Sequence, residues 1–314
     1  MIIPMLLGIS LVMFLIMHMA PGDPASIRYG LNPEVSESAR AEFSRIYGLD
    51  QPVIGQYLSW LKRFFTFDFG NSLIDDQPVI RKILTRLPAT IFLQALSLAV
   101  IIVVSIPMGV ISGIKRNSGF DKMATIIVFT GYAMPAFWLA LLLIYFFGFK
   151  FQIFPVSGMS PWYCEFLPAG DRIKDLLWHA VLPVFATSFG SLAVLSRYSR
   201  SGVIGVMNEP FVLAARAKGL TERRIIIFHI LKNSLLPIVT ILGLTFPVLI
   251  SGSFIFESIF AWPGMGRLGY EAIMGYDYPV VMGIGVVASL LTLFGILVSD
   301  ITYAMVDPRI RLSK

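Results

Sequence analysis

Long apolar runs alternate with short polar segments along this 314-residue chain. The first, residues 2–19, is about 18 residues long with His18 near its end, just enough to cross a bilayer. Runs at 89–111, 123–147, 238–256 and 280–305 are long enough to span. Residues 179–196 are less hydrophobic but carry no charge, so six membrane-spanning helices are expected. A cleaved signal peptide is the alternative for the first run. The missing basic n-region and the Ala20-Pro21 pair argue against it. The same lack of basic residues leaves an upstream start open.

The polar stretch 21–88 interrupts this rhythm. Val35, Ala39, Phe43, Ile46 and Tyr47 share one face at 3- and 4-residue spacing, and Gly48 ends that helix. A second amphipathic helix from Pro52 carries Ile54, Tyr57, Leu58, Leu61, Phe64 and Phe65 on its apolar side. Both predict surface helices packed on each other and on the spans, too short and too charged to cross. Within the spans, Pro107, Pro135, Pro183 and Pro247 interrupt the backbone ladder, as packing or a nearby cavity allows. Gly109, Gly113, Gly283 and Gly285 permit close helix approach.

The segment 208–237, NEPFVLAARAKGLTERRIIIFHILKNSLLP, reads as two short helices with a break. Asn208 can cap the first, with Glu209 and Pro210 in its opening turn. Gly219 suits a left-handed stop, and Thr221 can cap the second helix. Phe211, Val212, Ala214 and Ala215 are apolar or small, beside cationic Arg216, Lys218, Arg223, Arg224 and Lys232. A small-residue helix end flanked by charge can enter a groove on another protein. Positive-inside bias or headgroup attraction also fits a basic juxtamembrane loop; the flanking spans disfavour DNA binding.

Charge placement orients the chain. Segments 115–122, 197–232 and 309–314 hold thirteen Lys and Arg, against four in 149–178 and 257–279. Stretch 21–88 holds eight of each sign and is too long for the rule. The asymmetry places the 208–237 loop and both termini in the cytoplasm. It sets the Trp262-Pro263-Gly264 and Tyr276-Asp277-Tyr278-Pro279 loops outside, as receptor or gate contacts or as ordinary interfacial turns.

Composition narrows the chemistry. With 56% hydrophobic and 14% charged residues, this is a polytopic membrane protein. A single cysteine, Cys164, rules out an internal disulfide or a thiolate cluster. His18, His179 and His229 offer no ligand pair at helical spacing, so no metal site is expected. There is no Walker-type loop, and no ionisable side chain lies mid-span; Glu257 and Asp300 sit near span ends. An intramembrane enzyme or a channel would need catalytic pairs, charged rings or filter motifs that are absent. The expectation is a non-enzyme that moves a substrate.

Several motifs then fall in order: Ala20-Pro21-Gly22-Asp23-Pro24, Tyr57-Leu58-Ser59-Trp60-Leu61, Phe67-Asp68-Phe69-Gly70-Asn71-Ser72 and Leu87-Pro88-Ala89-Thr90. Next come Ala214-Ala215-Arg216-Ala217-Lys218-Gly219-Leu220, Lys232-Asn233-Ser234-Leu235-Leu236-Pro237, Phe260-Ala261-Trp262-Pro263-Gly264-Met265-Gly266 and Asp307-Pro308-Arg309-Ile310-Arg311. Over nearly the whole chain this resembles the first-subunit permeases of dipeptide, oligopeptide and nickel ABC importers. The resemblance implies an all-α type I importer permease fold in the cell inner membrane. Residues 1–20 would be the first span, 21–87 an extracytoplasmic helical segment, 88–305 the five-span transmembrane domain, and 306–314 a cytoplasmic tail.

The resemblance also implies partners: a second, homologous permease, two ABC ATPases and an extracytoplasmic substrate-binding protein, in membrane lipid and without nucleic acid. ATP would be used by the partners, so no cofactor belongs to this chain. Glu209, Ala214, Ala215, Arg216, Lys218 and Gly219 would form the ATPase-coupling loop, and Trp262, Pro263, Gly264, Asp277 and Tyr278 the receptor or gate contacts. Leu213 stands where the general importer pattern has glutamate, leaving Glu209, Arg216 or Lys218 to supply charge. Peptide is the implied substrate, with nickel or a metal chelate as the alternative.

Overall fold

The computed structural model describes residues 2–19, 51–160, 167–234, 238 and 252–306. The 20–24 and 307–311 motifs, the 35–47 helix, Cys164, Pro237, Pro247 and most of the fifth expected span lie outside the described residues. The described segments are almost wholly helical. In chain order these are α1 (Ile2–Met19), α2 (Val53–Phe65), α3 (Val79–Ile114), α4 (Gly119–Ala133), α5 (Ala136–Leu143), α6 (Ala169–Met207), α7 (Pro210–Ala217) and α8 (Glu222–Ile225). Then follow α9 (Phe254–Ile259), α10 (Met265–Met274) and α11 (Tyr278–Val306). Helices α3, α6 and most of α11 (Tyr278–Ser299) are long and apolar enough to cross a membrane; α1 is a shorter apolar helix.

The expected third span is a bent pair. Helices α4 and α5, the latter continuing as a π-helical stretch Ile144–Lys150, meet at 106°. Pro135 is the cause. It lacks an N–H to continue the ladder and drives Met134 into extended backbone, φ −87° and ψ 126°. Pro88, Pro107 and Pro183, by contrast, sit inside unbroken helices. Helices α3 and α6 also overrun their expected spans at both ends.

Among the described residues, helices α3 and α6 make the most extensive packing. Gly109 and Gly113 are why they lie so close. A Cβ on Gly113 would stand 2.8 Å from the Cβ of Val203, and one on Gly109 would meet Ser196 and Ser199. Elsewhere α11 packs on α1, where Gly285 admits Met13, and on α3, where Gly283 faces Val79 and Ile83.

The core divides toward two poles. Near the end of α3, Val110 packs with Val203 of α6 and with Val212, Ala215, Ile225 and Ile230 of the 208–234 segment. Near its start, Val79 and Ile83 pack with Met265, Leu268, Ala272 and Val280, while Ala89 and Leu93 pack with Ala180, Val184 and Trp262. The two loops singled out by sequence thus sit at opposite ends of α3.

Candidate functional site

At the first pole, Pro210 opens α7 as its fixed φ predicts, but Glu209, not Asn208, is the residue before the helix. Asn208 terminates α6 instead, because that helix runs on without a break to Met207. Helix α7 ends at Lys218, and Gly219 takes φ +74°, the left-handed turn its sequence position requires. Thr221 precedes α8 in extended conformation without a side-chain cap bond. Helix α8 then continues through a π-helical stretch, Ile226–Leu231, into the turn Lys232–Ser234.

The face of α7 differs from its sequence reading. Val212 and Ala215 are fully turned into the protein, against α3 and α6. Ala215 therefore faces inward within the loop. The outward side carries Phe211, Leu213, Ala214, Ala217, Lys218 and Gly219, all exposed. Leu213, 54% exposed, makes this surface apolar where a carboxylate was the family pattern. Arg216 is not an independent charge either. Its Nε donates to Glu222 Oε1 at 2.9 Å, closing an ion pair across the Gly219 turn.

One further contact at this pole was not anticipated. Arg200 of α6 forms a bidentate pair with Asp121 of α4, Nε and one terminal nitrogen lying 2.7 and 2.9 Å from the carboxylate oxygens. Asp121 is almost wholly buried and also accepts the N–H of Asn117. Sequence showed only a basic loop there, since partners 79 residues apart leave no local spacing signal.

At the second pole, the expected receptor contacts are largely interior. Trp262 is completely buried, stacks on Phe92, and donates its indole N–H to the Ala89 carbonyl at 2.9 Å. Gly264 is buried because any Cβ there would enter the space of Thr90 and the Glu257 carboxylate. Asp277 is 1% exposed; it accepts from the Ser72 hydroxyl and, at 3.0 Å, from the Leu73 N–H. Trp262, Gly264 and Asp277 are buried here, and bonds to distant segments hold Trp262 and Asp277. Pro263 and Tyr278 are half-buried beside them.

Glu257 organises this pole, and sequence gave only its position near a span end. Its side chain is fully buried, yet hydrogen-bond donors surround it. Thr90 donates at 3.0 Å and Ser253 N–H at 3.3 Å to one oxygen, and Arg267 N–H at 3.1 Å to the other. Gly252, at φ +72°, and Gly264 give the carboxylate room. A neighbouring cluster ties the loop before α3 to the turn before α11. Lys82 lies 3.1 Å from Ser72 Oγ and 2.9 Å from Asp75, with Asp277 at 3.9 Å. Burial pushes the Asp75 carboxyl up, but hydrogen bonds from Lys82, Ser72 and Gln77 and the Lys82 charge outweigh it, so it lies below its ordinary value.

Among the described residues no cluster of His, Cys, Asp or Glu is suited to a metal ion. What the geometry offers is mechanical: an exposed helix–turn–helix at one pole, joined by α3 and α6 to a tightly bonded loop at the other.

Comparison with known proteins agrees with that architecture. Residues 105–312 match the family described as binding-protein-dependent transport system inner membrane component, and residues 1–94 its N-terminal membrane component. The oligopeptide transport system permease protein AppB of Bacillus subtilis (strain 168) is 40% identical over 309 residues, 98% of this chain and 96% of that protein. The dipeptide transport system permease protein DppB of Escherichia coli (strain K12) is 36% identical, covering 100% of this chain and 97% of the relative. A chain of the inward-facing MetNI methionine ABC transporter shares the fold, with TM-score 0.58 and 18% identity over 73% of this chain and 97% of that one. A two-pole helical membrane protein, matched along nearly its full length, thus belongs to the binding-protein-dependent transport system inner membrane components, with the type I importer permease fold.

Proposed function

We propose that this chain is the permease subunit of an ABC importer that carries peptides across the cytoplasmic membrane. The observation that carries the reading is the outward face of α7 with its Gly219 turn, seated through Val212 and Ala215 on the locked α3–α6 pair. The peptide substrate rests on near-full-length similarity to an oligopeptide and a dipeptide permease. An ATPase docked on Leu213, Ala214, Ala217 and Gly219 would push α7, and the glycine-packed helices would carry the movement as a rigid body. The chain itself performs no chemistry and holds no cofactor; ATP is hydrolysed by partner subunits. A second, homologous permease completes the pathway, and a binding protein delivers substrate to the pole of Glu257.

Purification tests the reading. The chain alone should hydrolyse no ATP, and reconstitution with its co-purifying permease and ATPases should give hydrolysis stimulated by the peptide-loaded binding protein. ATPase activity of the rigorously purified single chain, or peptide uptake in cells lacking the ATPases, would overturn it. In this reading both termini and the 208–234 segment are cytoplasmic. Cysteines at Ser118 or Thr221, in a Cys164→Ser background, should react with impermeant thiol reagents only from that side.

A further inference from the structure

Helix α2 belongs to the polar stretch between the first two spans, yet it is built unlike a water-exposed helix. Tyr57, Trp60 and Phe64 recur at 3- and 4-residue spacing, and Tyr57 and Trp60 meet α1. The Tyr57 hydroxyl lies 3.0 Å from Ser10 Oγ, and Phe14 packs edge-on against the Tyr57 ring at 5.3 Å and beside Trp60 at 6.3 Å. A second apolar strip runs alongside: Ile54, Leu58 and Phe65, exposed by 74%, 57% and 60%, with Leu61 between them. The opposite side holds Gly55, Gln56, Ser59, Lys62 and Arg63, and the helix contains no acidic residue.

Depth along the spans decides what touches that strip. Met13 of α1 meets Gly285, seven residues into α11, which places it about 10 Å below the start of that helix. Ser10 lies nearly one helical turn deeper, roughly 15 Å below Tyr278. Helix α11, with 29 residues, is about 43 Å long, so a hydrocarbon layer of about 30 Å leaves only some 7 Å of it outside at each end. Ser10, and the Tyr57 hydroxyl bonded to it, therefore lie below the hydrocarbon boundary. Helix α1 also exposes apolar side chains of its own, Leu7, Leu11, Val12, Leu15 and Ile16.

We propose that α2 is an in-plane membrane helix. Ile54, Leu58 and Phe65 are embedded in acyl chains of the leaflet at the Met19 end of α1, and Lys62 and Arg63 meet lipid phosphates. Amphipathic helices with a cationic polar side settle about 5–10 Å into this boundary, which matches the depth fixed by Ser10. The helix thereby clamps α1 from the lipid side, and movement of α1 against α11 must drag it through the interface.

Nitroxide labels on Ile54→Cys, Leu58→Cys, Phe65→Cys and Ser59→Cys, each in the full Cys164→Ser chain with its co-purifying subunits in nanodiscs, test this. Dissolved oxygen should relax labels 54, 58 and 65 several-fold more than a water-soluble nickel chelate, and label 59 should show the reverse. Unchanged subunit stoichiometry after purification confirms that each variant is assembled. Chelate access at all four positions would mean a helix in water and overturn the proposal. So would exclusion of both reagents from 54, 58 and 65, which would mean that protein and not lipid covers the strip.

Discussion

The hydroxyl of Thr90 donates to Glu257 and accepts the main-chain N–H of Met265 at 2.7 Å, so one side chain of α3 fixes both ends of the α9–α10 turn. The partners are 167 and 175 residues apart in sequence. With the Trp262–Ala89 bond, this holds the α9–α10 loop as a rigid cap on the start of the second span.

Removing the centre of that arrangement should be costly. Glu257→Ala strands buried donors, each worth about 1–3 kcal/mol. The assembled transporter should melt at a clearly lower temperature and reach the membrane in reduced amount. Glu257→Gln should be intermediate, because its amide group turns donors toward donors. Gly264→Ala should resemble Glu257→Ala, since a Cβ would stand 2.5 Å from Thr90 Oγ1. Wild-type thermal stability of Glu257→Ala would contradict this account.

Arg200 and Asp121 should behave as one unit. Arg200→Ala leaves the buried Asp121 carboxylate unpaired, Asp121→Ala leaves a half-exposed guanidinium, and a double-mutant cycle on thermal stability should return a coupling of roughly 2 kcal/mol. A coupling near zero would mean that the bidentate pair does not join α4 to α6.

Gly219→Val should abolish uptake while leaving the chain in the membrane. A β-branched residue held at φ +74° carries about 1–3 kcal/mol of backbone strain, which the exposed turn relieves by changing conformation. Nothing crowds Gly219, so folding of the spans is untouched and transport is the property lost. Normal peptide uptake at normal abundance would show that the turn is dispensable.

Acid should loosen the loop before α3. The folded-state value of Asp75 lies below its reference value of 3.8, so its contribution is present above that pH and is lost as pH falls through the folded value. Melting of the purified transporter between pH 5 and pH 3 should fall less steeply for Asp75→Asn than for the wild type. Identical pH profiles would mean that Lys82 is held by Ser72 and Asp277 alone.

Sequence by itself determined the elements whose causes are local. Among the described residues hydrophobic runs located the long helices α3, α6 and α11, and Gly219 announced a left-handed turn that appears as expected; of the prolines read alike as interruptions, Pro135 breaks its helix pair whereas Pro107 and Pro183 do not. Gly109, Gly113, Gly283 and Gly285 pointed to close helix approaches that the tertiary structure contains. Ordered motifs gave the family, because their sequence along the chain is itself information. Tertiary structure alone decided which side of each element faces inward. Ala215 turns inward onto α3 and α6, and Trp262 and Asp277 are held inside by bonds to Ala89, Ser72 and Leu73, orientations that no local pattern announced. Asn208 lost its capping place because α6 continued past its apolar stretch. Glu257 was legible only as a charge near a span end and Asp121 was not singled out at all, since a buried carboxylate is defined by its donors. Those donors come from segments up to 167 residues away, a distance that no spacing rule along the chain can reach.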